Sequence, residues 1–91
     1  QFSVYILELL DGSLYVGQTT KAVEDRMQDH IDGHKSGRAC RRIGVRGLRH
    51  DLMEDEDLTD LTITSLATAL RRERRVARNM ANRGFKVHGG H

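Results

Sequence analysis

Five residues of this chain have side chains suited to chemistry. Tyr5 and Tyr15 are the only two tyrosines and both lie near the start of the chain, Arg26 and His30 follow one helical turn apart, and Glu73 stands among arginines. A phenol or an imidazole can move a proton, a guanidinium can hold a phosphate in a bidentate fork, and a carboxylate can ligate a hard cation. Whether they act together depends on the elements that position them.

Each of these residues also has a structural interpretation. Tyrosines more often pack in a core or across strands than act in catalysis. Arg26 and His30 could be a surface pair, and helix glutamates such as Glu73 commonly pair with neighbouring arginines. Glu73, however, falls on the predicted packing face of its helix. A buried carboxylate is costly unless it binds a cation or a metal, and a site left mostly to water suits Mg²⁺.

A zinc site is a weaker alternative. His30, His34 and Cys40 could be drawn as ligands, but Gly33 should end the helix between the two histidines and no fourth ligand is evident. The sequence also contains no phosphate-binding loop, dinucleotide fingerprint or nucleophile elbow.

Size and composition fit one globular domain over residues 1–91. Hydrophobic residues make up 37% and charged residues 31% of the chain, and no apolar run approaches the roughly 20 residues that span a bilayer. Cys40 is the only cysteine, so we expect a reducing compartment and a cytoplasmic or nucleoid-associated protein. Because the chain starts at Gln1, we expect it to be a piece of a longer protein.

The charges are segregated along the chain. Residues 38–50 contain five arginines and no acid, residues 51–60 six acids and no base, and residues 71–83 six arginines and one acid. Arginine makes up 12 of the 15 basic residues, and its fork favours phosphate or nucleic acid as a partner. Solvated helix faces are the simpler explanation.

The first two elements read as an antiparallel hairpin, residues 3–10 and 13–18, with Asp11-Gly12 at its turn. A two-residue loop would put the two tyrosines on opposite faces of the sheet. A three-residue loop with left-handed Gly12 puts them on one face and leaves an aliphatic face of Val4, Ile6, Leu14 and Val16. We predict the second register.

Helices and further strands follow. We predict a helix over 21–32, capped by Thr19 or Thr20 and ended by Gly33, and a short basic helix over 38–43. Residues 48–53 alternate like a third strand, and 54–60 read as a solvated acidic loop. A long helix is predicted over 62–83, capped by Thr64 or Ser65, with Leu66, Leu70, Ala77, Met80 and Ala81 on its inner side. The tail, 85–88, is a candidate short strand.

Together these residues resemble the GIY-YIG nuclease superfamily, which is named for two tripeptides on its first two strands. Here the tripeptides read Ser3-Val4-Tyr5 and Tyr15-Val16-Gly17, so the first lacks the leading glycine. Arg26 stands where the family has its arginine, and His30 where many members have a histidine. Residues 69–74 resemble the segment that carries the metal-binding glutamate, which makes Glu73 the counterpart. Asn82, or alternatively Asn79, matches a frequent asparagine.

The resemblance implies an α+β fold with a small central three-stranded antiparallel sheet flanked by helices. It also implies hydrolysis of DNA phosphodiester bonds with Mg²⁺ or Mn²⁺. Glu73 would hold the metal, Arg26 the scissile phosphate, and Tyr5 the attacking water. Tyr15 would hold the phosphate or share water positioning, and His30 would relay a proton or bond the phosphate. Which group is the general base stays open, and Tyr5 needs a lowered pKa for that role.

The candidate DNA contacts are Lys21, Arg38, Arg41, Arg42 and Asn82. Two other hypotheses stay open. The first is a non-catalytic DNA-binding module on the same scaffold, which would be expected to lack at least one of the catalytic set. The second is a protein-interaction module that uses the acidic segment, which predicts no salt-sensitive nucleic-acid binding.

Overall fold

The computed structural model describes residues 1–59 and 61–89. Over these residues the elements run in the order β1 (Ser3–Leu9), β2 (Leu14–Thr19), α1 (Val23–Asp32), α2 (Arg38–Ile43), β3 (Val45–Leu48), α3 (His50–Asp55), α4 (Leu66–Asn82) and β4 (Val87–Gly89). The predicted α+β class is confirmed. None of the described helices is long and apolar enough to cross a membrane.

The sheet has four strands in the order β3-β1-β2-β4. The first three are antiparallel, whereas β4 runs parallel to β2. The predicted three-stranded antiparallel sheet is therefore wrong in strand number and in its purely antiparallel pairing. Parallel neighbours require a long crossover, and the connection that includes α4 provides it.

The opening hairpin has the predicted register. Tyr5 pairs with Gly17 and Leu7 with Tyr15, which leaves a three-residue loop closed by a bond from the Leu9 N–H to the Ser13 carbonyl. Gly12 takes φ 84°, a left-handed conformation that favours glycine. Because alternate residues share a face, the two tyrosines lie on the same side of the sheet.

The predicted third strand is wrong. β3 spans Val45–Leu48, and the chain from His50 onwards is helical. The alternation in 48–53 matches a strand pattern. Leu52 and Met53, however, are consecutive and both buried, which one side of a short helix permits and a strand with one exposed face does not. The acidic segment is only partly a loop, because residues 54 and 55 end α3; Asp60 lies outside the described residues.

The helix boundaries differ from prediction at their starts. No side chain caps α1: Thr19 ends β2, and its Oγ1 accepts from the Lys21 N–H at 3.0 Å. Ser65 caps α4, which starts later than predicted because Ile63 pairs with Phe2 in an isolated bridge.

The core lies around β1, which is buried on both faces and contacts α1, α3 and α4. The aliphatic face predicted for the hairpin is buried throughout. The inner side of α4 is rotated from the prediction: Leu66 is 48% exposed. The buried residues of this helix are Ala69, Glu73, Val76 and Met80.

Candidate active site

Tyr5 and Tyr15 form the floor of the candidate site. Their ring centroids lie 6.4 Å apart. Tyr5 is buried and Tyr15 half-buried. Gly17 makes this approach possible, because a Cβ there would lie 2.5 Å from the Tyr5 hydroxyl and 3.2 Å from the Tyr15 ring. The glycine of the second tripeptide thus gives the two rings their space.

We expect Gly17→Ala to lower the free energy of unfolding by about 1–3 kcal/mol, as overpacking commonly does. Gly47→Ala is the matched control, since it also lies in the sheet and a Cβ there meets no atom within 4 Å. Urea denaturation of the two variants measures the difference. Equal stabilities would show that the Tyr5 ring moves aside without cost.

His30 lies beside both tyrosines rather than on the surface. It is 1% exposed. Its Nε2 is 2.9 Å from the Tyr5 hydroxyl, and its Nδ1 is 3.1 Å from Ser36 Oγ. The Ser36 hydroxyl has carbonyl acceptors within reach, the nearer being that of Gly37 at 3.3 Å. If the Ser36 hydroxyl donates to that carbonyl, its oxygen accepts a hydrogen bond from His30 Nδ1–H. His30 Nε2 then carries no proton and accepts a hydrogen bond from the Tyr5 hydroxyl.

Burial, with the charge of Arg26, lowers the pKa of His30 to about 4. The ring is therefore neutral at pH 7 and can accept a proton. This lowered pKa also links protonation to stability. Above pH 6.5 the ring is neutral in both the folded and the unfolded chain. As the pH falls from 6.5 towards 4, only the unfolded chain binds the proton, so the free energy of unfolding decreases.

We expect the stability advantage of wild type over His30→Gln to shrink as the pH falls from 6.5 to 4. The slope is up to about 1.4 kcal/mol per pH unit for one proton. Denaturation at several pH values measures this difference, with the exposed His34→Gln as control. A constant gap between wild type and His30→Gln would contradict a neutral, buried imidazole.

Arg26 lies at the border of the site and is not a free surface residue. Its Nη2 donates to the Lys35 carbonyl at 2.8 Å, and its Nη1 lies 3.6 Å from a carboxylate oxygen of Asp29. Its charge also counteracts part of the rise that burial causes in the pKa of Tyr5 and of Tyr15. The guanidinium therefore ties the loop after α1 to the tyrosine pair.

The two phenols nevertheless keep their protons. Burial raises the pKa of Tyr5 above its usual value of 10.0, and neighbouring Tyr15 adds to the rise, so the opposing effect of Arg26 is outweighed. Burial also raises the pKa of Tyr15, with smaller contributions from Cys40 and Glu73. The pKa of Tyr5 is therefore raised, not lowered as its role as general base requires.

Glu73 reaches the site from α4. It is 9% exposed and close enough to Tyr15 to raise the pKa of that phenol. No group of three or more His, Cys, Asp or Glu among the described residues could hold a metal ion. A single carboxylate is too few for Zn²⁺ or Ca²⁺ but fits Mg²⁺ or Mn²⁺, which keep most of their coordination to water.

A groove of about 570 Å³ opens beside Tyr15. Among the predicted DNA contacts, Arg38 and Arg42 line it. The other three lie elsewhere: Arg41 lines a separate cavity with His30, Lys21 pairs with Asp29 at 2.7 Å, and Asn82 is exposed at the end of α4. The alternative asparagine, Asn79, donates to Glu56.

Two neighbours of the site, His88 and Ser36, were missed from the sequence, and a third, Cys40, was considered only as a zinc ligand. His88 lies opposite Tyr15 in the β2–β4 pairing and lines the groove. Its Nε2 is buried and has no hydrogen-bond partner among the described residues. Ser36 bonds His30, and Cys40 is a buried free thiol whose pKa burial raises to about 11. The only sequence signal for His88 was the candidate strand predicted over residues 85–88.

The first hairpin of the mixed sheet thus carries two tyrosines, with an arginine, a histidine and a helix glutamate nearby. A sequence profile of the GIY-YIG catalytic domain matches residues 1–83. The chain therefore belongs to the GIY-YIG family of nuclease domains. No curated protein and no solved structure gives a significant match.

Proposed function

We propose that the protein is a metal-dependent DNA endonuclease that hydrolyses phosphodiester bonds with an activated water. The convergence of Tyr5, Tyr15, His30, Arg26 and Glu73 around one hairpin face is the observation that carries this proposal. A non-catalytic relative would be expected to have lost at least one of these side chains.

Tyr5 and His30 supply a route for the proton of the attacking water. Because the pKa of Tyr5 is raised, a standing phenolate is not the base. Instead, Tyr5 takes the water proton while its own proton passes over 2.9 Å to Nε2 of neutral His30. A bond forms between the water oxygen and phosphorus, and the bond to the 3′ oxygen breaks. The imidazole thus stores the proton that the reaction releases.

Arg26 and Glu73 stabilise the negative charge of the phosphate during hydrolysis. Arg26 holds a non-bridging oxygen of the scissile phosphate through charge-assisted hydrogen bonds. Glu73 would hold a Mg²⁺ or Mn²⁺ ion, which when bound would supply Lewis-acid stabilisation of the negative charge that develops during hydrolysis. The Tyr15 ring centroid lies 5.1 Å from that of His30, and the Tyr15 hydroxyl would orient the phosphate.

The strand approaches through the groove beside Tyr15. Arg38 and Arg42 are exposed there and offer two guanidinium forks to the phosphates that flank the cut. The His88 side chain also lines this groove, but its Nε2 is buried, so it does not count among the proposed phosphate contacts. These contacts carry no sequence preference, since they address the backbone only.

Incubation with supercoiled plasmid tests the proposal. We expect relaxed circles with Mg²⁺ or Mn²⁺, none with EDTA, and weaker binding as salt rises. Salt-sensitive binding without any nicking would instead identify a non-catalytic DNA-binding module. Absence of both would exclude DNA as the substrate.

A further inference from the structure

Helix α4 has a second face that the proposed site does not use. Its buried residues, including Glu73, repeat every three to four positions. Arg71, Arg74 and Arg78 repeat at the same spacing, but they lie roughly 180° around the helix because each residue turns about 100°. All three are exposed. We call these three residues the arginine face.

The arginine face lines a groove of about 470 Å³. The lining consists of Thr68, Arg71, Arg72, Arg74, Arg75 and Arg78. Arg72 and Arg75 also line a cavity with Asp55, Glu56 and Asp57, so nearby acids moderate their charge. Among the described residues, no carboxylate forms an ion pair with Arg71, Arg74 or Arg78.

These cations have no acidic partner on their own side of the helix. A glutamate three or four positions from an exposed arginine would offset its charge. On α4 the only acid is Glu73, and it is buried on the opposite side. The arginine face therefore presents unneutralised guanidinium groups to the solvent, which favours an anionic ligand.

We propose that the arginine face binds the phosphate backbone of a second DNA duplex, so that one domain holds two duplexes on opposite sides. The three arginines rise about 10 Å along the helix in steps of about 5 Å, which lets them contact successive phosphates. Arginine forks match phosphate oxygens bidentately. The proposal rests on the proposed function for the first duplex only.

The composition of the groove favours duplex DNA over other anions. Interfaces with protein segments bury apolar and aromatic anchors, whereas those with a nucleic-acid backbone are polar and positive. Only arginine and threonine line this groove. Single strands stack their bases on aromatic side chains, and the groove offers none. What it offers is contact with phosphates alone.

The duplex on the arginine face must be a separate segment from the one at the active site. The domain measures 30 × 28 × 21 Å. DNA resists bending over about 150 base pairs, so it does not fold around so small a body. A duplex seated beside Tyr15 cannot reach Arg71, Arg74 or Arg78 on the far side of α4.

A bridging assay tests this proposal. One biotinylated duplex is fixed on beads, and capture of a second, fluorescent duplex is measured as a function of protein concentration. All steps are done in EDTA so that no cleavage is needed. We expect the wild type to capture the second duplex. The triple variant Arg71→Gln/Arg74→Gln/Arg78→Gln should capture at least tenfold less, and its salt slope should fall by roughly 0.9 per lost phosphate contact.

A charge-matched control removes three cations outside α4: Lys35→Gln, Arg46→Gln and Lys86→Gln in one chain. We expect its bridging to stay within twofold of wild type. Equal loss in this control would show that net charge alone is responsible and would overturn the proposal. Retained bridging in the triple variant would do the same, since two copies holding one duplex each would then explain it.

Two further measurements distinguish a second DNA site from an acidic protein partner and from failure of the proposed nuclease function. A poly-glutamate peptide that binds wild type more tightly than the duplex does, and loses that binding in the triple variant, would assign the face to an acidic protein partner instead. Plasmid nicking with Mg²⁺ is measured in parallel. Bridging without nicking supports the second DNA site while the proposed nuclease function fails; nicking without bridging overturns the second site alone.

Discussion

Replacing Glu73 by alanine is expected to abolish Mg²⁺-dependent nicking while the fold remains intact. Glu73 is the one carboxylate that α4 brings to the tyrosine pair, so its loss would remove the proposed protein ligand for the metal. Lewis-acid stabilisation is worth several kcal/mol, which corresponds to a rate loss of about 10³-fold or more. Alanine has the highest helix propensity, so α4 should persist. Plasmid nicking measures the rate, and circular dichroism the fold.

Glu73→Gln sharpens this test because glutamine keeps the size of the side chain and removes its charge. We expect the same loss, and no recovery at higher Mg²⁺. Glu24→Ala, on the exposed surface of α1, serves as a control and should nick like wild type. A Glu73→Gln variant that keeps more than a tenth of the wild-type rate would remove Glu73 from the site.

The hairpin and the residues it positions were predictable because their signals are local. The turn at Asp11-Gly12 fixes the register, and the register alone decides whether Tyr5 and Tyr15 share a face. Glu73 was predicted on the packing face from helical periodicity, and it is buried. In each case the answer depends on residues within a few positions of one another.

The features that were missed depend on contacts far along the chain. Residues 48–53 satisfy a strand pattern, but packing buries Leu52 and Met53 together in a helix. His30 was a predicted site residue, but the helix pattern left a surface pair with Arg26 open, because its partner Tyr5 lies 25 positions away. The pairing of β4 with β2 depends on where α4 delivers the chain, which no local pattern encodes.

For the basic segments too, the sequence does not show which side chains reach the site. Arg38, Arg41 and Arg42 share one short helix, and composition does not distinguish them. The orientation of α2 sends Arg38 and Arg42 to the groove beside Tyr15 and Arg41 to another cavity. Charge counts therefore predicted a basic protein surface, whereas only the packed helix shows which cations share a groove with the proposed site.

Arg26→Ala is expected to lower the nicking rate by about 10²–10³-fold, as loss of one charge-stabilising group commonly does. The structure gives this arginine a second task, since it also donates to the Lys35 carbonyl in the loop after α1. Part of the loss could then arise from a displaced loop. Arg26→Lys separates the two effects, because lysine keeps the charge but cannot form the planar fork.

Arg46→Ala is the matched control for the loop effect. Arg46 also donates to a loop carbonyl, that of Leu10 at 3.1 Å, but it lies on β3 and does not line the groove beside Tyr15. We expect Arg46→Ala to nick within about twofold of wild type and Arg26→Lys to fall between wild type and Arg26→Ala. The rate at saturating DNA measures the effect on chemistry. A loss below tenfold in Arg26→Ala would leave Arg26 as a residue that only orders the loop, and the phosphate would need a different cation.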